Sequence, residues 1–267
     1  MGAVTAHPLI VAHRGASESA PEHTLAAYRQ AIEDGADGLE ADVRLTADGH
    51  LVCVHDRRIE RTSNGSGVLS TMALSDLERI DFGSWKDTWD DFEEPDLDDA
   101  DRKSVLTFER LLQLVLDADR RIELFVETKH PTRYGGLVER RLVESLRRFD
   151  LDRPTDGVPS QVSLMSFSEV ALRRMRRMAA ELPLVYLMDR VPVIYRTGAL
   201  PRGISVAGPS IDVVRKHPSY VRRVHDAGGR VFVWTVDDPA DVDLVHRVGA
   251  DAVITNRPHR VLQQLGR

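Results

Sequence analysis

Cysteine is nearly absent from this chain: Cys53 is the single one among 267 residues. No intrachain disulfide can form, and a reducing compartment is compatible with that. Long hydrophobic runs are also missing. None approaches the roughly 18 residues of a membrane span, so stable membrane insertion is not expected. The N-terminus shows no basic stretch ahead of an apolar one, because residues 9–12 run straight into His13-Arg14. No signal peptide is read there, and a cytoplasmic location is the expectation. Basic residues are not in excess either. The net charge is −6, which gives no electrostatic reason to expect nucleic acid as a partner.

What is present is an ordinary globular composition, 42% hydrophobic and 29% charged, enough for a sizeable core. Cys53 lies in the apolar run Leu51-Val52-Cys53-Val54 and reads as a buried small hydrophobe. Short β-type runs alternate with helical patterns along the chain. Strands are expected at residues 8–13, 38–43, 122–127, 161–166, 184–188, 204–207, 231–235 and 251–255. Helices are expected at 24–34 with Thr24 as cap, 107–117, 137–149, 169–181 behind Ser168, and 218–227 before Gly228. The last has Asp238 as cap, Pro239 at its first position and Gly249 beyond its end.

Strands alternating with helices imply a parallel sheet. Eight such strands at this length fit an α/β fold, the (β/α)8 TIM barrel of about 250 residues, as one domain over residues 1–267. Length alone leaves two smaller domains open. The loop carrying Asp48-Gly49 is too short for a helical crossover, so residues 44–55 read as a hairpin excursion after strand 2. It would return His55 toward the end of the strand it left. An insertion at about 56–104 contains an acidic loop with Trp85 and Trp89, either a wall of the active site or a solvated surface loop.

Chemistry on such a barrel sits at the C-terminal ends of the strands. Glu40 and Asp42 stand at i and i+2 of one strand and point to one face, opposite Leu39, Ala41 and Val43. Two buried carboxylates repel unless a cation or donors compensate. Glu127 supplies a third at another strand end. Three hard oxygen donors suit Mg²⁺ or Ca²⁺ better than a soft metal. The spacing leaves a second reading open, in which the carboxylates simply pair with Arg44 or Lys129. His13 and His55, each at an expected strand end, are candidates for general acid and base. Arg14 and Lys129 would neutralise phosphate charge. His7, His23 and His130 read as structural or exposed. The run Arg173, Arg174, Arg176 and Arg177 reads as a solvated helix face, with an anionic membrane surface as the alternative.

The segments His13-Arg14-Gly15, Pro21-Glu22-His23-Thr24-Leu25, Gly38-Leu39-Glu40-Ala41-Asp42-Val43 and His55-Asp56 together resemble the glycerophosphodiester phosphodiesterases. Thr46-Ala47-Asp48-Gly49, Arg61-Thr62-Ser63-Asn64-Gly65, Val126-Glu127-Thr128-Lys129, Val233-Trp234-Thr235-Val236 and Thr255-Asn256-Arg257-Pro258 extend the likeness over nearly the whole chain. The resemblance implies hydrolysis of small glycerophosphodiesters to glycerol 3-phosphate and an alcohol. It implies a divalent ion, Mg²⁺ or Ca²⁺ with Mn²⁺ a third candidate, held by Glu40, Asp42 and Glu127. His13 and His55 would be the acid/base pair, Arg14 and Lys129 the phosphate ligands, and Trp234 a platform for the glycerol. Glu22 would support the metal site. The family usually has Pro-Glu-Asn-Thr where this chain has Pro-Glu-His-Thr, so His23 replaces an amide that helps hold the site. An enzyme acting on lysophospholipids, or a barrel that binds phosphate esters without turnover, are the competing readings.

Overall fold

The computed structural model describes residues 7–86, 100–154 and 157–267. Its elements in chain order are β1 (Leu9–His13), α1 (Leu25–Glu33), β2 (Gly38–Leu45), β3 (Leu51–Cys53), α2 (Leu74–Leu77), α3 (Ala100–Lys103), α4 (Phe108–Leu116), β4 (Glu123–Thr128) and α5 (Leu137–Arg148). They continue with β5 (Val162–Ser166), α6 (Glu169–Met178), β6 (Leu184–Met188), β7 (Val206–Pro209), α7 (Ile211–Lys216), α8 (Ser219–Asp226), β8 (Arg230–Val233), α9 (Pro239–Val248), β9 (Ala252–Thr255) and α10 (Pro258–Gln264).

Strands β1, β2, β4, β5, β6, β7, β8 and β9 pair in parallel in that order, and β1 closes the ring by pairing with both β2 and β9. This is the expected (β/α)8 barrel. β3 pairs antiparallel with the outer half of β2, Val43 opposite Cys53 and Leu45 opposite Leu51. It is therefore the hairpin excursion and not a barrel strand. Val54 N–H donates to the Asp42 carbonyl at 3.0 Å, which brings the next residue, His55, back over the barrel mouth.

Strand alternation splits the core in two. One set, with Leu39, Ala41, Val43, Leu124 and Val126, faces the helices. The other, with Val11, Phe125, Met165, Val185, Phe232 and Ile254, fills the barrel interior. Phe125 and Phe232 meet edge to face at 5.2 Å between ring centroids. Each such buried ring contributes about 1.5–3 kcal/mol by leaving water. Above this apolar plug Asp42 and Glu127 stand in register on neighbouring strands, with Glu40 level with Phe125. Cys53 is buried, as its apolar run suggested.

The expected caps are in place. Thr24, Ser168 and Asp238 each accept a backbone N–H of the first helical turn, and Gly249 ends α9 in the left-handed conformation at φ 78°. Three differences from the sequence expectations stand out. β7 runs Val206–Pro209, two residues later than expected. Pro209 ends the strand, where a missing donor costs little. The helices α7 and α10, six and seven residues long, had escaped notice because they span too few turns to show a period.

The insertion forms its own small apolar cluster, with Val52, Val54, Ile59, Leu69, Leu77 and Phe82. Most of the acidic loop, including Trp89, lies outside the described residues. No helix among the described residues is long and apolar enough to cross a membrane.

Candidate active site

The turn after β1 opens the site. Arg14 and Gly15 are both left-handed, with φ 61° and 85°. Arg14 N–H donates to both the carbonyl and the carboxylate of Glu40, each at 3.1 Å. This turn directs His13 and Arg14 over the mouth. Gly15 has no alternative there: a Cβ would lie 2.6 Å from the Ala27 backbone carbon. Gly15→Ala is therefore expected to destabilise the fold by about 2–4 kcal/mol, from overpacking added to left-handed strain. Urea denaturation measures this; a change under about 0.5 kcal/mol, the usual bound for a surface substitution, would refute the constraint.

Glu40, Asp42 and Glu127 converge as their spacing implied. All three are buried, and one carboxylate oxygen from each lies within 4.8 Å of the others. Asp42 is central. Its Oδ2 is 3.0 Å from His23 Nε2 and 3.1 Å from Arg14 Nε, and its Oδ1 is 3.3 Å from Lys129 Nζ. Lys129 Nζ also lies 2.9 Å from Glu127. Arg44 does not join the carboxylates. It donates twice to the His55 carbonyl, at 2.9 and 2.7 Å, and so pins the hairpin exit.

These contacts do not neutralise the cluster. Burial opposes ionisation of Asp42, but Lys129, the His23 hydrogen bond and Arg14 outweigh it and hold this carboxyl well below its usual range. Burial, then the charge of Asp42, push Glu40 well up and Glu127 to about 8. An all-oxygen donor set whose three carboxyls cannot all ionise without further positive charge fits a hard divalent cation. Arg14 Nε is buried and, despite its proximity to Asp42, lacks an aligned hydrogen-bond acceptor among the described residues.

The histidines are held by different partners. His13 Nδ1 lies 2.7 Å from Asn256 Oδ1, and Asn256 Nδ2 donates to Asp237 at 2.6 Å. The asparagine thus presents its oxygen, so Nδ1 of His13 carries the proton and Nε2 keeps its lone pair. Burial, then Arg14, lower this imidazole to about 4. His55 Nδ1 lies 2.7 Å from the Asp56 carboxylate. Asp56 is in turn gripped by Arg61, which also donates to Glu22 at 2.8 and 2.7 Å. His55 too lies below its ordinary value, chiefly through burial, with Asp42 and Asp56 pulling it up.

Glu22 stands behind Arg14, 3.0 Å from its Nη1, and touches the carboxylates only through that arginine. Hydrogen bonds from Arg61, with the charge of Arg14, overcome burial and take Glu22 down to about 2. His23 is buried, not exposed. Its ring bridges Asp42 to Tyr28 at 2.8 Å, and Tyr28 donates to the Glu40 carbonyl. Its φ of 61° is one that Asn and His tolerate better than most residues.

A cavity of about 260 Å³ lies over this cluster, with His13, His55, Arg14 and Lys129 in its walls and Phe167 and Trp234 opposite. Trp234 donates from Nε1 to the Gly208 carbonyl at 2.7 Å, and Phe167 meets it edge on at 5.4 Å. Sequence reasoning had not assigned Asn256, the Asp56–Arg61 pair, Tyr28 or Phe167. Asn256 stands one residue beyond β9, and Phe167 one beyond β5. Strand-end position, the signal that flagged His13, was available for both.

Comparison with known proteins identifies the family. The sequence profile of the glycerophosphoryl diester phosphodiesterase family matches residues 13–260. The probable glycerophosphodiester phosphodiesterase 1 of Mycobacterium tuberculosis is 46% identical over 254 residues, 95% of this chain and 91% of that protein. The glycerophosphodiester phosphodiesterase of Bacillus subtilis is 32% identical over 255 residues, 94% of this chain and 84% of that protein. Among solved structures, an Oleispira antarctica phosphodiesterase in complex with the product sn-glycerol-3-phosphate superposes with TM-score 0.82 at 23% identity, covering 98% of each chain.

Proposed function

The chain belongs to the glycerophosphoryl diester phosphodiesterase family, and we propose that it hydrolyses small glycerophosphodiesters to glycerol 3-phosphate and an alcohol at the mouth of this barrel. The observation that carries the residue-level reading is the meeting, in one cavity, of a buried carboxylate triad with two histidines. Each histidine has Nδ1 engaged and Nε2 without a hydrogen-bond partner among the described residues.

Glu40, Asp42 and Glu127 would hold Mg²⁺, Ca²⁺ or Mn²⁺, which when bound supplies positive charge against the phosphoryl oxygens. Arg14 and Lys129 neutralise the remaining phosphate charge from either side of the triad. His13 is the proton acceptor. A neutral amide holds its Nδ1–H, and burial keeps Nε2 unprotonated for the attacking hydroxyl, whether of water or of the substrate glycerol. His55 is the proton donor to the leaving oxygen, because the Asp56 carboxylate stabilises its imidazolium form. Trp234, backed by Phe167, offers an apolar face to the glycerol carbons, and Glu22 and His23 position Arg14 and Asp42.

The direct test is glycerol 3-phosphate release from glycerophosphocholine or glycerophosphoethanolamine. Turnover is expected to vanish with chelator and to return with one of the three ions. A chelated enzyme of undiminished rate sinks the metal assignment, and absence of product under all three ions sinks the activity.

A further inference from the structure

A second cavity, also of about 260 Å³, lies beside the first, between the ends of β2 and β4. Lys129 lines both. Its remaining charged residues are Arg44, Arg57 and Arg133, and it contains no carboxylate. Leu45 and Leu69 form part of its apolar lining. Four cations around one hollow in a chain of net charge −6 are an unbalanced local charge. Arg57 and Arg133 are exposed, and neither pairs with a carboxylate among the described residues. The Arg133 guanidinium instead lies 5.8 Å from the Tyr134 ring centroid, and Tyr134 is tied by its hydroxyl to the Ser70 carbonyl at 2.6 Å. Arg44 spends Nε and Nη2 on the His55 carbonyl and so anchors one wall to the hairpin that carries the acid/base residue.

The position of the hollow decides what it can receive. A diester bound with its phosphate at Arg14 and Lys129 has two arms. The glycerol arm meets Trp234 at the end of β8. Lys129 lines both cavities and Trp234 only the first, so the alcohol arm, leaving the phosphate away from Trp234, would be directed toward the β2–β4 hollow. Arginines recognise phosphate through paired, charge-assisted hydrogen bonds.

We propose that this hollow is a subsite for a second anion, and that the enzyme prefers glycerophosphodiesters whose alcohol carries its own phosphate, such as a phosphorylated polyol. Water is added across the same P–O bond, and the products are glycerol 3-phosphate and the polyol phosphate. The inference rests on the hydrolytic reading above and adds the leaving group to it.

The test compares glycerophosphoinositol with its 4-phosphate, which differ only in the added anion. Wild-type kcat/KM is expected to favour the 4-phosphate by about tenfold or more at low salt, with the preference shrinking as NaCl screens the arginines. The double variant Arg57→Ala/Arg133→Ala is expected to bring the ratio near one, and the double lysine variant to keep part of it. Both side chains are exposed, and an unchanged melting temperature verifies folding. Equal wild-type rates on the two diesters, or a preference that survives the double alanine variant, overturn the subsite alone. No glycerol 3-phosphate from either diester while glycerophosphocholine is still cleaved overturns the subsite alone, and no product from any of the three overturns the hydrolytic reading and the subsite with it.

Discussion

His55→Ala is expected to lower kcat/KM on glycerophosphocholine by about 10²- to 10⁴-fold, the usual worth of a positioned acid or base, and to lose most of that effect on a p-nitrophenyl diester. The second partner of each imidazole separates the two roles. His55 hands Nδ1–H to an ionised carboxylate, Asp56, that Arg61 holds in place. That carboxylate offsets part of the burial that disfavours the protonated ring and would suit it to protonate an alkoxide. Nitrophenolate leaves without a proton, so the need for His55 disappears with that substrate. His13 hands Nδ1–H to an uncharged amide, and its burial keeps the ring neutral down to about pH 4. His13→Ala is expected to cost a similar factor on both substrates, because the attacking hydroxyl needs a base whatever leaves. Steady-state kinetics on the two diesters decide the matter. A His55→Ala enzyme equally impaired on both, or a His13→Ala enzyme rescued by nitrophenol, would reverse or remove the assignment.

Asp42→Ala should abolish measurable turnover, by about 10³-fold or more. A cation held there would be worth several kcal/mol of charge stabilisation, at 1.36 kcal/mol per factor of ten. Asp42 is also the residue on which His23, Arg14 and Lys129 converge. A stability measurement separates this from simple misfolding. In the metal-free protein, burial and the charge of Asp42 raise Glu127 to about 8 from an ordinary 4.5. The folded state then holds a proton that the unfolded chain gives up. The stability from this group is complete below about pH 4.5 and is lost as pH rises toward 8. Metal-free wild type should therefore melt lower at pH 8 than at pH 6, by an amount that Glu127→Gln removes. Mg²⁺ or Ca²⁺ should raise the wild-type melting temperature most at pH 8, where the ion no longer competes with that proton. Identical pH dependence in wild type and Glu127→Gln, with no thermal response to either ion, would mean that the three carboxylates are not a cation site.

The carboxylates were legible because strand geometry is local. Residues i and i+2 of a β run share a face whatever the rest of the chain does, so Glu40 and Asp42 could be placed together before any fold was known. The hairpin was legible because Asp48-Gly49 leaves too few residues for a crossover. The partners were not legible. Asn256 reaches His13 across 243 positions, and Arg61 reaches Glu22 across 39. No periodicity carries such contacts. His23 reads alone as a helix-entry residue; its left-handed backbone and the approach of β2 turn the ring inward onto Asp42.

By itself, then, the sequence determined the alternation of strands and helices, the shared face of Glu40 and Asp42 and the family likeness spread over the chain. Each follows from backbone sterics or side-chain period acting over a few residues. Closure of β1 onto β9 decided the rest. It set Asn256 against His13, while the pairing of β2 with β4 brought Arg44 and Lys129 to the edges of one hollow. Those relations exist only once distant strand ends share one rim, because the forces that fix them, burial of charge and hydrogen bonding across the barrel mouth, have no counterpart in the extended chain.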